Sequence, residues 1–514
     1  MPGVSQSLRD CLAEYPPVML EAIAEGWHIA LTDEQVPEIV DRLVAEMTTP
    51  ANVQSTLQRL SEVEREALAF VAARGEARAH VVVRKYGDLP RLGPGPLEWK
   101  KTWRQPASAV ERLWFLGLLH LGYAMDDRFH GQVFFVPPEI LAILAPKAIP
   151  APTFDATPLS SPAAVSNDTD ALARGVLAIL SHCRNTEVRS RKGGLSAREL
   201  AGLEDRLRPA TSRSALWEAQ RLRFLRHLTE KAGWLRVQDG LWKPTAEAGR
   251  WLKKHATGRQ TDLYGAWLED TSWNELWMMP SVRCEDTGWR NDPVLARRAV
   301  LDCLIQCPVD TWLRIGSLVE ATYDRDPDFM RLDGDYDSWY IRDAQTGQYL
   351  TGFSNWHKVE GALTQYLLAA PLCWLGVVAL GSPQEGAPAD RFMLTRVGAA
   401  ILGLLKIEAS AVRPFVVQAD RQVIVPHNAS WYDRFLLERF ARWVDEEPRF
   451  ARYVLDASSM RACLEQGTSI DQILTFLRRT TNNKLPESVA RALKAYGQRS
   501  GKSARSSEHA GRRA

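Results

Sequence analysis

The stretch Arg413-Pro-Phe-Val-Val-Gln-Ala-Asp-Arg-Gln-Val-Ile-Val425 sets two short apolar runs around a polar Gln-Ala-Asp-Arg-Gln turn. Runs rich in β-branched and aromatic residues, split by polar turn formers, predict a pair of strands. Further patterned segments follow: Trp431 to Val444, Tyr453 to Gly467, Ile470 to Arg479 and Lys484 to Val489. In order they read as a helix, a Tyr-Val-Leu strand running into a second helix, and a third helix, closed by Leu-Pro. A small α/β domain is therefore expected over residues 410–498.

This order of elements resembles the N-terminal domain of XPB-type helicases. The likeness runs from about Arg413 to Gly497. It rests on Phe-Val-Val-Gln-Ala-Asp, a second strand ending in Val425-Pro426, the Tyr453-Val-Leu strand, Ser458-x-x-x-Ala462-x-x-x-x-Gly467, the Phe476-Leu477 helix and Leu485-Pro486. In that family the domain precedes a two-lobed ATP-driven motor, and bacteria also carry motor-less versions described as helicase-associated. The resemblance implies the second kind here.

Phosphate binding by a motor needs a glycine loop between strand and helix, closed by Lys and Ser or Thr. The nearest match, Gly497-Gln-Arg-Ser-Gly-Lys-Ser503, is one residue short, follows a helical pattern and lies in a polar tail, 499–514, expected to be disordered. Asp445-Glu446 has the look of the second motor signature, but the residues before it read as helical, so it is expected to be a solvated helix end. Gly-x-Ser-x-Gly, His-Glu-x-x-His and Gly-x-Gly-x-x-Gly are absent. Neither catalytic residues nor a cofactor are expected.

With 514 residues, 45% hydrophobic and 25% charged, the chain has the composition of ordinary globular material in about three domains. Its seven cysteines are scattered and odd in number, which suits a reducing cytosol and small buried hydrophobes. Cys303 and Cys307 lack the further ligands that structural zinc requires, so no metal is expected. Arg9, Asp10 and Glu14 interrupt any secretory core. The longest apolar run, Leu367 to Leu380, contains Pro371 and falls short of the ~20 residues that span a bilayer. A cytoplasmic location without membrane contact is expected.

Three segments repeat one plan of helices, a Leu-rich helix and two short strands. The first runs from Leu60 to Val136, where Ser61 and Glu64 have capping-box spacing. In the second, Trp234 to Val237 and Leu241 to Lys243 flank Gln238-Asp239-Gly240, a strong hairpin signal. The third runs from Leu295 to Thr395. Helices followed by a two-strand wing resemble the winged helix, a helix-turn-helix variant whose third helix commonly enters the major groove. The expected architecture is mainly α with small β: tandem winged-helix-like units plus the C-terminal α/β domain. Its boundaries are 1–148 for an N-terminal helical region with the first unit, 149–169 for a flexible linker, 170–257 for the second unit and 258–405 for connecting helices with the third.

Charge singles out the second unit. The net charge of the chain is +2, yet residues 170–260 hold nineteen Lys and Arg against nine Asp and Glu, leaving −8 for the remainder. On a helix from Ser214 to Lys231, Trp217, Phe224, Leu225 and Leu228 share one side, and Gln220, Arg223, Arg226 and His227 turn away. Arg213 precedes that helix, and Arg189, Arg191 and Lys192 lie beside paired glycines. These eight polar residues are the expected nucleic-acid contacts, DNA first, with affinity that falls as salt rises. The acidic run from Asp324 to Asp337 is expected to face a basic partner. Trp267, Trp273 and Trp277 read as packing rather than base stacking.

The function expected is a non-catalytic, DNA-binding docking protein that engages a helicase or nuclease subunit in repair or defence. The competing readings are a pure protein-interaction scaffold and an ATP-dependent helicase component whose motor is not recognisable.

Overall fold

The chain is mainly helical with small antiparallel sheets. The computed structural model describes residues 6–32, 34–89, 93–125, 129–144, 156–167, 169–190, 195, 200, 202–207 and 215–497. It opens with α1 (Leu8–Ala13), α2 (Pro17–Trp27), α3 (Val36–Met47) and α4 (Pro50–Gln58). Val40, Leu43 and Met47 of α3 are buried at helical spacing. α5 (Glu62–Ala72) begins with a reciprocal capping box, in which Ser61 Oγ accepts from the Glu64 N–H at 3.3 Å and the Glu64 carboxylate from the Ser61 N–H at 2.8 Å. Then come β1 (Glu76–Arg78), α6 (Ala79–Tyr86), α7 (Pro94–Lys100), α8 (Ala109–Phe115), the hairpin β2 (His120–Met125) and β3 (His130–Phe135), and α9 (Pro138–Leu144). One apolar core joins all of these helices, from Leu8 to Ile140.

Next in the chain are β4 (Ala164–Ser166), α10 (Ala171–Asn185), α11 (Glu204–Leu207), α12 (Ala215–Lys231), β5 (Leu235–Gln238), β6 (Leu241–Pro244) and α13 (Ala246–Lys253). Asp239 and Gly240, joining β5 to β6, have φ of +52° and +73°. Two left-handed residues in a row twist the connection to match the strands, which explains the Asp-Gly pair. α14 (Ala256–Leu268), β7 (Val282–Cys284), α15 (Pro293–Leu304), β8 (Trp312–Arg314), α16 (Ile315–Arg325), β9 (Ile341–Asp343) and α17 (Ala362–Leu367) follow. The hairpin β10 (Val378–Ser382) and β11 (Arg391–Leu394) and the helix α18 (Arg396–Ile401) complete this part.

A related order of elements thus occurs three times, namely helix, short strand or bridge, further helices, hairpin, with three helices after β1 in the first and β9 inserted between α16 and α17 in the third. Each time the short strand pairs with the returning strand of the hairpin. β1 pairs with β3, Arg189 bridges Leu241 of β6, and β8 pairs with β11. The helices and hairpins match the sequence patterning. The extra strand is a structural addition, because three residues are too few to show a period.

The last domain contains β12 (Val416–Val417), β13 (Gln422–Pro426), α19 (Trp431–Leu437), β14 (Arg442–Glu446), β15 (Phe450–Val454), α20 (Ala457–Glu465) and α21 (Ile470–Thr480). Its sheet order is β12-β13-β15-β14, over a core that includes Val423, Val425, Tyr453 and Leu477. Asp445-Glu446 is not a helix end. α19 stops at Leu437, and the pair lies on β14, opposite Arg452 and Ala451 of β15.

Two compact units emerge, each drawn from separated segments. The first takes Met1–Thr153, Pro280–Leu295 and Ala321–Gly361; the second takes Phe154–Met279, Ala296–Glu320 and Ala362–Ala514. This corrects two expected boundaries. The stretch 258–405 is divided between the units, and inside the first unit Asp326 and Asp328 pair with Arg78, His80 and Arg84, which anchors 321–361 there. Nor is all of 149–169 a free linker. β4 completes the order β4-β10-β11-β8, and the Leu159 N–H donates to the Trp312 carbonyl at 2.8 Å. An open strand edge supplies unpaired backbone groups, and this segment satisfies them. The tail 499–514 lies outside the described residues.

Among the described residues no helix is long and apolar enough to cross a membrane. None of the seven cysteines is in a disulfide and six are buried, and among the described residues no His, Cys, Asp and Glu group could hold a metal ion.

Candidate nucleic-acid interface

α12 buries Phe224, Leu225 and Leu228 as its periodicity requires. Its other side is partly covered. The segment 267–279 lies over it, with Trp273 against Phe224 and His227 at ring separations of 5.2 and 5.1 Å. Gln220 Nε2 donates to the Met278 carbonyl at 2.8 Å, and His227 is hydrogen-bonded to the buried carboxylate of Asp270. Lys231 Nζ stands 3.0 Å from the same carboxylate. Burial alone would raise the Asp270 pKa, but His227, Ser272 and Lys231 hold it well below the usual carboxylate range. Gln220 and His227 are therefore engaged by internal partners, the Met278 carbonyl and the Asp270 carboxylate, where the sequence reading expected them turned to a groove. Arg223 stays exposed with its guanidinium 5.8 Å from the Trp273 ring centre, and Arg226 is half-buried.

Arg297 fixes the covering segment. Fully buried, its guanidinium contacts Glu275 at 3.0 Å and donates to the carbonyls of Trp267 and Asp270 at 2.5 and 2.8 Å. Trp267 and Trp273 are core residues, in line with the packing reading. Of the other expected contacts, Arg189 is exposed beside β6, and Arg191, Lys192 and Arg213 lie outside the described residues.

Accessible positive charge gathers elsewhere in the same repeat. A cleft of about 740 Å³ opens between the β5–β6 hairpin, α13 and α19. Arg184, Lys243, Arg250 and Lys253 line it against one carboxylate, Asp239. α13 explains the placement. Thr245 caps it by accepting from the Ala248 N–H at 3.3 Å, and Ala248, Trp251 and Leu252 are buried, so Arg250 and Lys253 fall on the outer face. On α19, Trp431, Arg434 and Phe435 are buried while Tyr432 stays half-exposed in the cleft. Trp251 ties the walls together, tilted against Trp234 at 4.4 Å and edge-on to Trp431 at 6.2 Å.

The cations of this cleft differ in their freedom. Arg184 lies over the Phe435 ring at 3.7 Å and donates to the Phe435 carbonyl; burial pushes its pKa down to about 10 against the opposing charge of Glu438, leaving it charged at neutral pH. Arg250 pairs with exposed Glu247, and Lys253 Nζ sits 4.7 Å from the Tyr432 ring centre. A second cleft of about 650 Å³ adjoins and is also lined by Lys253 and Tyr432. There Lys254, Arg259 and Arg479 are offset by Asp170, Glu408 and Asp433.

Other charges of the basic repeat are spent internally. Arg206 makes a bidentate pair with Glu438 at 2.9 and 2.8 Å. Glu438 accepts from the Tyr453 hydroxyl at 2.7 Å, and Arg434 bridges Tyr453 and Glu446. Burial works against the charge on Glu446, yet Arg434 and His427 hold its pKa well below the usual range. In the first unit, the acidic run is not a bare negative surface. Asp328 is fully buried, 2.6 Å from Arg84 and 3.2 Å from His80, and accepts from the Tyr336 hydroxyl at 2.7 Å. Burial opposes this charge, but those partners hold its pKa down to about 2. The negative-surface expectation is corrected to that extent.

The eight expected contacts omitted Lys243, Arg250, Lys253 and Tyr432. The spacing of Arg250 and Lys253 against Ala248, Trp251 and Leu252 was readable. Tyr432 was not, since it reaches the cleft from far along the chain. No protein-family model matches this chain, and comparison with curated proteins finds no match either.

Proposed function

We propose that this is a non-catalytic docking protein that holds nucleic acid on its basic second repeat and engages a helicase or nuclease through its C-terminal α/β domain. One observation carries the reading: Arg184, Lys243, Arg250 and Lys253 line a cleft beside the β5–β6 hairpin whose lining holds one carboxylate, Asp239, with Glu247 paired to Arg250 outside it. Lys and Arg at such a surface neutralise phosphates and release counterions, giving affinity without sequence preference. Contact through the hairpin and α13 replaces contact through α12, whose Gln220 and His227 have internal partners. Cytoplasmic placement and a role in repair or defence belong to the same proposal.

The test is equilibrium binding of labelled DNA to the full chain as salt rises. Affinity that falls steeply with salt supports the reading, and absence of binding at low salt overturns it. DNA-stimulated ATP turnover by the purified chain would overturn its non-catalytic part. A protein scaffold is the second reading, favoured by Trp99, Tyr123 and Met125 of the first unit, which are 84%, 62% and 71% exposed.

A further inference from the structure

We infer that the cleft between the β5–β6 hairpin, α13 and α19 takes a single strand of nucleic acid, with Tyr432 as a stacking ring and Lys243, Arg250 and Lys253 on backbone phosphates. This rests on the proposed nucleic-acid function and narrows it to one substrate class.

Shape is the first ground. About 740 Å³ is the scale of pockets that enclose a single small ligand, ~300–1,000 Å³ in general. A base with its flanking phosphates fits that space. Duplex reading by a helix-turn-helix needs an open helix face for the ~12 Å major groove, and segment 267–279 covers part of that face of α12.

Chemistry is the second ground. Surfaces that bind single strands alternate cations with aromatic rings, because every base has a face that can stack whatever its identity. Tyr432 is a half-exposed ring between cations, Lys253 on one side and Arg184 along the same wall. Continuity is the third ground. Lys253 and Tyr432 line both clefts, so a strand leaving the first meets Lys254 in the second. Half-buried Arg184, held over the Phe435 ring, adds a further positive charge to the same wall.

The experiment is fluorescence anisotropy on the full chain with short oligo-dT and a duplex of equal length at low salt. The strand is expected to bind about tenfold tighter than the duplex, with Tyr432→Ala lowering strand affinity about fivefold to tenfold and Tyr432→Phe restoring it. Lys243→Glu and Lys253→Glu should each weaken binding and flatten the log–log salt slope by about 0.7 or more. Equal or tighter duplex binding, or strand binding unchanged in Tyr432→Ala and Lys243→Glu, overturns the inference while the proposed function stands. Failure of both probes to bind overturns both. Unchanged melting of each variant assigns a loss of binding to the cleft and not to misfolding, whereas a folded Tyr432→Phe that fails to restore affinity counts against stacking.

Discussion

α12 and α13 are neighbouring helices of one repeat, each with an apolar stripe and cations on the opposite side, yet they use those cations differently. On α12 the polar side is partly covered by segment 267–279, which takes Gln220 and His227 as partners. On α13 the outer side opens into a cleft. Charge density along a sequence therefore measures supply, and tertiary packing decides how much of it can reach a ligand.

Removing what holds the cover is the harshest way to break this contrast. Arg297→Ala leaves Glu275 buried without its counterion, and a loss of about 3–5 kcal/mol in chemical denaturation is expected. Wild-type stability in that variant would mean that Arg297 does not secure the segment over α12.

His227→Ala should cost less, about 1–3 kcal/mol, because Asp270 keeps Lys231 and Ser272. Acid sharpens this case. The folded-state pKa of Asp270 lies below its ordinary 3.8, so its contribution is full above that value and is lost as pH falls through the lowered one. Asp270→Asn lacks this titration, and the stability gap between it and wild type should narrow in acid. A gap constant with pH would show that the carboxylate charge is not what joins the segment to α12.

The hairpin beside the cleft offers a gentler probe. Gly240 has φ +73°, and Gly240→Ala should cost about 1 kcal/mol, read as a small fall in thermal midpoint. The smallest effect is the most diagnostic. Arg223→Glu is expected to change strand affinity by less than about twofold, ~0.4 kcal/mol. A loss as large as that from Lys243→Glu would return the interface to α12.

Where local chemistry decides structure, the sequence was a good guide. The Ser61–Glu64 capping box, the Asp239-Gly240 turn, the periodicity of α3 and the apolar runs at 413–425 each carry their structure within a few residues. Failures came where the deciding partner is distant. β1, β8 and the bridge at Arg189 are strands only because a hairpin lies beside them. Likewise β14 has the composition of a helix end and is recruited by β15. The candidate site divides the same way. Arg250 and Lys253 could be placed from α13 alone, whereas the occupation of His227 depends on Asp270, and Tyr432 needs the whole C-terminal domain in place.

The discontinuous make-up of the first unit bears on how the protein can be dissected. Arg78, His80 and Arg84 find their carboxylates more than two hundred residues downstream, at Asp326 and Asp328. A truncation ending near residue 153 would keep the apolar centre of that unit but strand three basic side chains at a surface the intact protein neutralises. Such a fragment would present an artificial affinity for polyanions, so any mapping by deletion needs the Asp326 and Asp328 segment supplied alongside it.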